Sequence, residues 1–429
     1  MKRIVTLLLA SLACIGAPGQ DTVWSLDSCL AQVMANNISL QAAQAAGRKA
    51  RAQMYQSLSE LLPSLDLHVN QYYNWGRSVD MQELVIVKNR LTRQTSASVG
   101  ASFTIFDGFA RLNTYAASRA AARAAENDIL QAELEAKCDI TKAYLGNVLA
   151  RLTTVSLQQS LECVRLQLEK IRTEVDCGRR STEDILEMEA RAADLQSQIA
   201  QSEAEEALRM QELRRLTGCP APFETDLAVA EMCESCTPPE TGPVVTPGVL
   251  SARENAEAAR YALKAARGAV FPTIGVSAAY GTYYSDAAGA PFKEQVDGNR
   301  NPSVSLSMVV PLFDGGRRAA EVAAAKADLD ASRARVRQAE EDALSEWGQM
   351  RLQCISLSQQ IAAGRAREEF CAKKLASSGR QYELGAISAS DWLQAADDLT
   401  RSRSELLQCR CKYLFQVKLM ELYKEIWHE

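Results

Sequence analysis

The sequence predicts a mainly helical protein with a smaller membrane β-barrel portion, built from one unit that occurs twice. The first indication is the distribution of proline. No proline occurs at 64–219 or at 312–429. Proline breaks helix interiors at a cost of about 3 kcal/mol or more, so both segments can hold long helices. The second indication is that short motifs of the first half return in the second half at a nearly constant offset.

Three motifs carry this repeat. Residues 62–65 (LPSL) correspond to 271–274 (FPTI) at an offset of 209, and 105–108 (IFDG) correspond to 312–315 (LFDG) at an offset of 207. Also at 207, Gly178, Ser181, Asp184 and Leu186 correspond to Gly385, Ser388, Asp391 and Leu393. A period this long indicates a duplicated domain rather than a solenoid repeat.

The expected boundaries follow from the repeat. A first repeat covers 20–217, a linker rich in proline and glycine covers 218–248, and a second repeat covers 249–429. Each repeat has an opening helix, a strand pair and a long helical hairpin. The strand pairs are expected at about 64–106 and 273–312, and the hairpins at about 109–217 and 316–425.

Residues 1–19 have the pattern of an export signal. Lys2 and Arg3 supply a positive flank, Ile4–Ala13 is a short apolar core, and small residues follow before Gln20. The apolar run is too short to cross a bilayer as a helix. Cys14 leaves a second interpretation open, namely lipoprotein processing with a lipidated Cys14 at the mature N-terminus.

Each strand pair is recognised by the alternation of apolar with small or polar residues. The apolar positions are Leu65, Leu67, Val69, Tyr73 and Trp75, then Ala97, Val99, Ala101, Phe103 and Ile105, then Ile274, Val276, Ala278 and Tyr280, and finally Val304, Leu306, Met308 and Val310. A period of two indicates strands rather than helices. Segments of about ten residues with one apolar and one polar face are typical of barrel strands between lipid and water. A soluble antiparallel sheet with one buried face would give the same pattern.

The number of strands has a consequence for assembly. Four strands cannot close a barrel, and an open sheet edge in lipid leaves backbone groups unpaired. If the strands lie in a membrane, the chain must therefore oligomerise. Three copies would supply twelve strands, an even number within the range of membrane barrels.

The proline-free segments show coiled-coil spacing. In the second repeat, Trp392, Leu399, Leu406, Tyr413 and Met420 are each seven residues apart, and in the first, Ile185, Met188, Ala192, Leu195 and Ile199 are three or four apart. Such repeats indicate helices that supercoil against partners. No run is apolar enough for a transmembrane helix, so the predicted helices stand in water.

The two hairpin tips share one pattern of residues. A glycine ends the long helix, a serine follows three residues later and an aspartate three residues after that: Gly178, Ser181 and Asp184, and Gly385, Ser388 and Asp391. Glycine suits a left-handed helix end, and serine with an acidic residue at the third helical position approaches a capping box. In a second interpretation, the two aspartates of several protomers surround a constriction. One residue can do both.

Composition argues against several other classes of protein. The net charge is −5 and the basic residues are scattered, so no basic stripe for nucleic acid is present. With only His68 and His428, a histidine-based catalytic or metal site has little support. Neither a glycine-rich phosphate loop nor a GxSxG motif occurs. An enzyme is therefore not predicted, and neither a cofactor nor a metal is expected.

The twelve cysteines are dispersed rather than arranged as a disulfide framework. Cys138, Cys354 and Cys409 fall at apolar positions of helical patterns, where free cysteine acts as a small buried apolar residue. Cys233 and Cys236 are the one close pair. A local disulfide between them stays open, whereas a zinc site is not expected because no second pair or histidine is near.

Several motifs in order resemble the outer membrane efflux protein family, the TolC-like channels, over essentially the whole mature chain. They are the Asn36-Asn37 helix leading into Leu62–Leu65, the Phe-Asp-Gly motifs at 106–108 and 313–315, and the two tips. The second tip, Tyr382–Ala395, is the most specific of them.

The resemblance implies a homotrimer with a twelve-stranded barrel in the outer membrane and a periplasmic helical tunnel. It also implies an exit duct for efflux or type I secretion, with the tips docked on a periplasmic adaptor that joins an inner-membrane pump. By the same resemblance, docking residues are Gly178, Ser181, Gly385 and Ser388, and entrance residues are Asp184, Tyr382 and Asp391. Ile387 stands where some members have a basic residue, which puts a Tyr382-to-arginine latch in doubt.

One alternative function belongs to a different class. An exported coiled-coil scaffold with a soluble sheet and no channel activity would share the helical pattern. Such a protein would be water-soluble, whereas a channel would be found in the outer-membrane fraction.

Overall fold

The computed structural model describes residues 22–79, 86–178, 181–218, 223–225, 245–286 and 289–428. The predicted signal peptide with Cys14, and most of the predicted linker with Cys233 and Cys236, lie outside the described residues.

The described elements follow the same plan in both halves, apart from one additional helix in each half. They are β1 (Thr22–Trp24), α1 (Leu26–Asn36), α2 (Ile38–Ser59), β2 (Ser64–Val79), β3 (Ile86–Phe106), α3 (Ala110–Asp176), α4 (Thr182–Thr217), β4 (Phe223–Thr225), α5 (Pro247–Gly268), β5 (Thr273–Ser285), α6 (Phe292–Gly298), β6 (Asn301–Val309), α7 (Arg317–Glu383) and α8 (Ala389–His428). Helices α3 and α7 each have 67 residues, and α2 and α5 each have 22. The equal lengths agree with a duplicated unit.

The chain divides into two compact units, and each unit takes residues from both repeats. Unit 1 consists of Met1–Ala42, Leu130–Thr246 and Asp342–Glu429, and unit 2 of Ala43–Ile129 and Pro247–Glu341. Unit 2 therefore holds the four-stranded sheet, and unit 1 holds both hairpin tips. None of the helices in the described ranges is long and apolar enough to cross a membrane.

The sheet of unit 2 is antiparallel in the order β2-β3-β5-β6, which confirms the four predicted strands. Its register aligns the apolar positions in rows. One row contains Leu65, Ala101, Ala278 and Val304, and the next contains Leu67, Val99, Tyr280 and Pro302. Residues directly opposite in antiparallel strands share a face. In the single chain this apolar face is open, with Leu65 73% and Val304 78% exposed.

The opposite face of the sheet carries small polar side chains that pair across strands. Ser64 and Ser102 hydroxyls lie 2.7 Å apart, and Ser277 and Ser305 hydroxyls lie 2.8 Å apart. Strand β6 ends at Val309, earlier than the expected 312. Pro311, two residues on, has no amide hydrogen to offer a strand ladder.

A Phe-Asp-Gly turn joins each strand pair to its long helix: the first turn is 106–108 and the second is 313–315. In the first, the Asp107 carboxylate accepts the Arg111 amide at 3.1 Å and the Arg111 Nε at 3.1 Å. In the second, the Asp314 carboxylate accepts the Arg318 amide at 3.2 Å. Each aspartate thus caps a helix start, where free amides and the helix dipole favour negative charge.

Unit 1 is held by packing along the hairpins. Apolar residues from α1, α3, α4, α7 and α8 form its larger core, which includes Cys29, Val33, Ile140, Tyr144, Val148, Leu213, Cys354, Leu414, Val417 and Met420. Of the ten predicted coiled-coil residues, six are buried and four are half-buried: the first group is Met188, Leu195, Leu399, Leu406, Tyr413 and Met420, and the second is Ile185, Ala192, Ile199 and Trp392. The coiled-coil prediction is therefore confirmed.

A short parallel pair, β1 with β4, was not predicted. Polar side chains of α3 hold its ends: the Tyr144 hydroxyl donates to the Trp24 carbonyl at 2.9 Å, and Asn147 accepts the Thr225 hydroxyl at 2.9 Å. Three-residue strands are too short to leave a periodic pattern in the sequence.

Among the described residues no cysteine forms a disulfide, as the sequence predicted for most of them. Cys354 is buried, and its thiol lies 3.7 Å from the Met420 sulfur. Burial, together with the nearby Asp139 and Glu135 carboxylates, raises the pKa of Cys138 to about 12. A thiol with so high a pKa stays protonated and unreactive at neutral pH.

Candidate functional site at the hairpin tips

Both tips are built on a glycine in the left-handed conformation. Gly178 follows α3 with φ +73°, and Gly385 follows α7 with φ +71°. A Cβ on either glycine would meet no described atom within 4 Å. Glycine is therefore needed here for its backbone angle and not for space, as the sequence predicted.

The second tip has the complete hydrogen-bond pattern of a Schellman turn. The Ala386 amide donates to the Gln381 carbonyl at 2.8 Å, and the Gly385 amide donates to the Tyr382 carbonyl at 3.0 Å. At the first tip, the Gly178 amide donates to the Val175 carbonyl at 2.8 Å, the equivalent of the second of these bonds.

The helix that follows each tip begins at a serine cap. The Ser388 hydroxyl accepts the Asp391 amide at 3.2 Å, and the Asp391 carboxylate accepts the Ser388 amide at 3.3 Å and its hydroxyl at 2.8 Å. This reciprocal arrangement is a capping box. At the first tip, Ser181 accepts the amide of Glu183 at 3.1 Å. The cap there is made one residue before Asp184.

Four helices share one apolar core behind the tips. It contains Leu161, Val164, Ile171, Met188, Leu195, Tyr382, Ala389 and Leu393. The two hairpin ends of a single chain therefore form one packed body in unit 1.

The predicted site residues differ in exposure. The docking residues Gly178, Ser181, Gly385 and Ser388 are exposed. Asp391 is exposed as well, whereas Asp184 is half-buried.

Tyr382 lies inside the tip core and not at its surface. It is 1% exposed, and its ring stacks on Trp392 with centroids 6.1 Å apart. The structure of one chain therefore assigns Tyr382 a packing role, and its part in an entrance stays a prediction.

A pair of apolar residues at the tips was missed in the sequence. Leu384, beside Gly385, is 84% exposed, and Leu186 after the first tip is exposed too. Leu186 corresponds to Leu393 in the repeat, yet Leu393 is buried. Leu384 beside Gly385 and Leu186 in the helix after the first tip add apolar surface that a partner could cover.

An ion pair between the hairpins was also missed. Arg191 of α4 contacts Asp397 of α8 and, at 2.5 Å, Asp194 of its own helix. Nearby, the Ser160 and Thr400 hydroxyls lie 3.1 Å apart and join α3 to α8. These groups border a cavity of about 470 Å³ between the helices. Arg191 and Asp397 lie on separate hairpins, so no fixed sequence spacing relates them, and the pair could not be predicted from the sequence.

Burial raises the pKa of the Asp397 carboxyl above its ordinary value of 3.8. The Arg191 guanidinium opposes this rise, as does Arg401, while Asp194 adds to it. Desolvation thus outweighs the attraction of the ion pair, a frequent balance for a partly buried carboxylate.

Solved structures identify the fold. The fold matches that of CusC, whose crystal structures concern conformational changes during folding and transmembrane channel formation. The TM-score is 0.84, and the two sequences are 18% identical over 96% of this chain and 95% of CusC. It also matches the outer membrane protein VceC from Vibrio cholerae, with a TM-score of 0.79 and 17% identity over 93% of this chain and 95% of VceC. The chain therefore shares its fold with both of these proteins.

The sequence then gives the family. A model of the outer membrane efflux protein family matches residues 29–219 and 246–421, so the chain belongs to that family. The chain is also 26% identical over 329 residues to the outer membrane efflux protein BepC of Brucella suis biovar 1 (strain 1330), which covers 73% of this chain and 69% of BepC. The resemblance drawn from the motifs is confirmed. The chain is an outer-membrane protein with a periplasmic helical region.

Proposed function

We propose that three copies of this chain form an outer-membrane exit duct, which passes substrate from an inner-membrane pump through a periplasmic helical tunnel in a tripartite efflux or type I secretion system. The main support for this proposal comes from the sheet of unit 2. Its apolar face is exposed in the single chain, and within the described residues β2 and β6 each have a neighbouring strand on one side only. Lipid penalises such edges, and three copies would close a barrel of twelve strands.

The test of the duct is biochemical and electrical. The protein should be extracted from the outer-membrane fraction only with detergent, with a mass about three times the 46.9 kDa of the chain. In planar bilayers it should conduct ions. A water-soluble monomer without conductance would instead support the coiled-coil scaffold, a function that the exposed apolar face of the sheet does not favour.

We further propose that the tips dock on a periplasmic adaptor. Gly178, Ser181, Gly385 and Ser388 are exposed, and Leu384 beside them offers apolar area. Ser388→Trp should weaken recovery of the adaptor and the pump in a pull-down from the native host, since a bulky ring would occupy the contact. Ser358→Trp, at an exposed serine of α7, is the control. Equal recovery with both variants would remove Ser388 from the docking surface.

The third part of the proposal assigns the entrance to Asp184, Asp391 and Tyr382. Asp391 is exposed at the tip, where carboxylates from three copies would attract cations. Asp391→Lys should therefore change the conductance or reduce the cation preference in planar bilayers. Asp391→Asn keeps a side chain that can accept the Ser388 hydrogen bonds and separates charge from capping. Unchanged conductance and selectivity with Asp391→Lys would leave Asp391 as a capping residue alone.

A further inference from the structure

The two Phe-Asp-Gly turns have the same sequence but different surroundings. The first turn lies against the end of α5. The second turn is open, and Leu312 and Phe313 are both 92% exposed. A Cβ on Gly315 would meet no described atom within 4 Å. Phe313 is equivalent to Phe106, which is half-buried and pairs with Ile274 of β5.

The first turn shows what such a turn packs against. A Cβ on Gly108 would lie 2.1 Å from the Gly268 carbonyl oxygen, and a Cβ on Gly268 would lie 2.5 Å from the Gly108 carbonyl oxygen. The backbone of the turn therefore rests directly on the last turn of α5, a contact that two glycines make room for.

The chain contains a second helix end of the same kind. Helix α2 runs Ile38–Ser59 and α5 runs Pro247–Gly268, so the offset of 209 relates them at both ends. Ser59 is the equivalent of Gly268, and Leu62 is the equivalent of Phe271. Both Ser59 and Leu62 are exposed. Among the described residues, the second turn therefore has no helix end packed against it. Within the same residues, the end of α2 has no Phe-Asp-Gly turn packed against it.

We propose that the second turn packs on the end of α2 in a second copy of this chain, and that β6 pairs with β2 of that copy with Met308 opposite Val69. This interface rests on the proposed oligomeric duct and specifies its register. The neighbouring copy repeats between chains the contact that the first turn, β3 and β5 make within one chain.

The internal repeat fixes the register. Within the chain, Ala101 lies opposite Ala278. Adding 207 to Ala101 gives Met308, and subtracting 209 from Ala278 gives Val69. The next pair on this face, Phe103 with Val276, becomes Val310 with Leu67 in the same way.

Side-chain chemistry agrees with this register. It sets Met308 of β6, and Val310 just beyond the end of β6, opposite Val69 and Leu67 of β2, so that the apolar rows continue from one copy to the next. A slip of one residue would place Met308 opposite a polar residue of the other face and reverse every side chain of the edge strand.

The contact between turn and helix end differs from its intrachain equivalent in two side chains. Ser59 has a Cβ where Gly268 has none, so the second contact has to be wider than the first. Gly316 stands where the first turn has Phe109, which makes the second turn smaller.

Cysteine pairs test the register in the assembled protein. The variant Val69→Cys with Met308→Cys is treated in the outer membrane with a short bis-methanethiosulfonate and run on a denaturing gel without reductant. Linkage at every interface should give a covalent trimer. The matched control is Val69→Cys with Val304→Cys, which moves the second thiol four residues along the same strand and face, about 13 Å away. The single variants carry the native cysteines and give the background.

The outcomes separate this interface from the proposed duct. Covalent trimer with the Met308 pair alone supports the register. Linkage of the Val304 pair, or no linkage of either pair in protein that runs as a trimer on a native gel, overturns the register and leaves the duct standing. A protein that is monomeric in the native gel overturns both.

Discussion

The two hairpin tips share a left-handed glycine and a serine cap but differ in the side chains that pack behind them. Tyr382 and Trp392 stack in the second tip, while the equivalent positions of the first tip carry Val175 and Ile185. The second tip also has the reciprocal bonds between Ser388 and Asp391. Duplication has kept the glycine turn and the serine cap, which the chain needs to reverse direction. The packing behind them has diverged, so the second tip is the more firmly fixed of the two.

The same kind of divergence separates the two Phe-Asp-Gly turns, and it predicts the largest effect. In Gly108→Ala the new Cβ would lie 2.1 Å from a backbone oxygen, at a residue with φ +68°. Backbone has to move to relieve this clash, so we expect a severe loss of trimer in the outer-membrane fraction. Gly315→Ala has φ +67° and open space within the chain, so its intrachain cost is about 1–2 kcal/mol of left-handed strain.

Trimer yield measured for both glycine variants checks this comparison. The equivalence of the turns gives the experiment its control, since both changes add the same methyl group at the same backbone angle. Assembly of Gly108→Ala at the level of the parent protein would contradict the tight contact with α5.

The shared tip core predicts the next effect, because the two repeats contribute different side chains to it. Tyr382 is almost fully buried, and removing a buried aromatic side chain costs about 3–5 kcal/mol. Val175 is half-buried, and Val175→Ala removes two methyl groups, at about 1 kcal/mol. Thermal or denaturant unfolding of the helical region followed by circular dichroism should therefore show a much larger loss for Tyr382→Ala.

Tyr382→Phe distinguishes packing from a role at the entrance. The ring remains, so stability should stay close to that of the parent protein, and conductance then reports on the hydroxyl alone. Equal destabilisation by Tyr382→Ala and Val175→Ala would mean that the two equivalent positions contribute equally to the shared tip core.

The serine caps predict a smaller difference. Loss of a helix cap costs about 0.5–2 kcal/mol. Ser388→Ala should fall in the upper part of this range because it disrupts the bonds with Asp391, and Ser181→Ala in the lower part because one bond to Glu183 is lost. Hydrogen exchange of the amides of residues 389–392 and 182–185 measures the effect locally. Faster exchange in Ser181→Ala than in Ser388→Ala would reverse the comparison.

Local patterns in the sequence were sufficient to predict the sheet and the turns. Alternation predicted the apolar rows because successive side chains of a strand point to opposite faces of the sheet, so the residues of one strand alone show which face is apolar. The glycine and serine positions at the tips were predicted because turn and cap chemistry depends on adjacent residues. The position of Tyr382 in the core was not predicted, since a family likeness places a residue in a region but does not state which neighbours cover it.

Contacts between segments that are distant in the sequence produce no local pattern of this kind. Arg191 and Asp397 lie on different hairpins, and the first repeat has Ala190 at the position equivalent to Asp397. The ion pair therefore has no counterpart that the repeat could reveal. The β1–β4 pair is similar, because its short strands are held by side chains of α3 that are far away in sequence.

Asp397 provides the smallest predicted effect, which is a pH dependence of stability. The first hairpin has no equivalent of this carboxylate, because Ala190 stands at that position. Burial raises the pKa of its carboxyl above 3.8 in the folded chain. The folded chain then binds this proton more readily than the unfolded chain, so stability is gained as the pH falls through the raised pKa and lost as the pH rises through it. Since Arg191 offsets part of the cost and the pair is partly exposed, the change in stability should be small.

Asp397→Asn removes this titration. The difference in unfolding free energy, parent minus Asp397→Asn, should decrease as the pH rises from 3.8 through the raised pKa, because only the parent protein acquires a partly buried charge. Subtraction cancels the other titrating groups that the two proteins share. A difference that increases over this interval would show that the attraction of Arg191 outweighs desolvation, and the ion pair would then be a stabilising link between the hairpins.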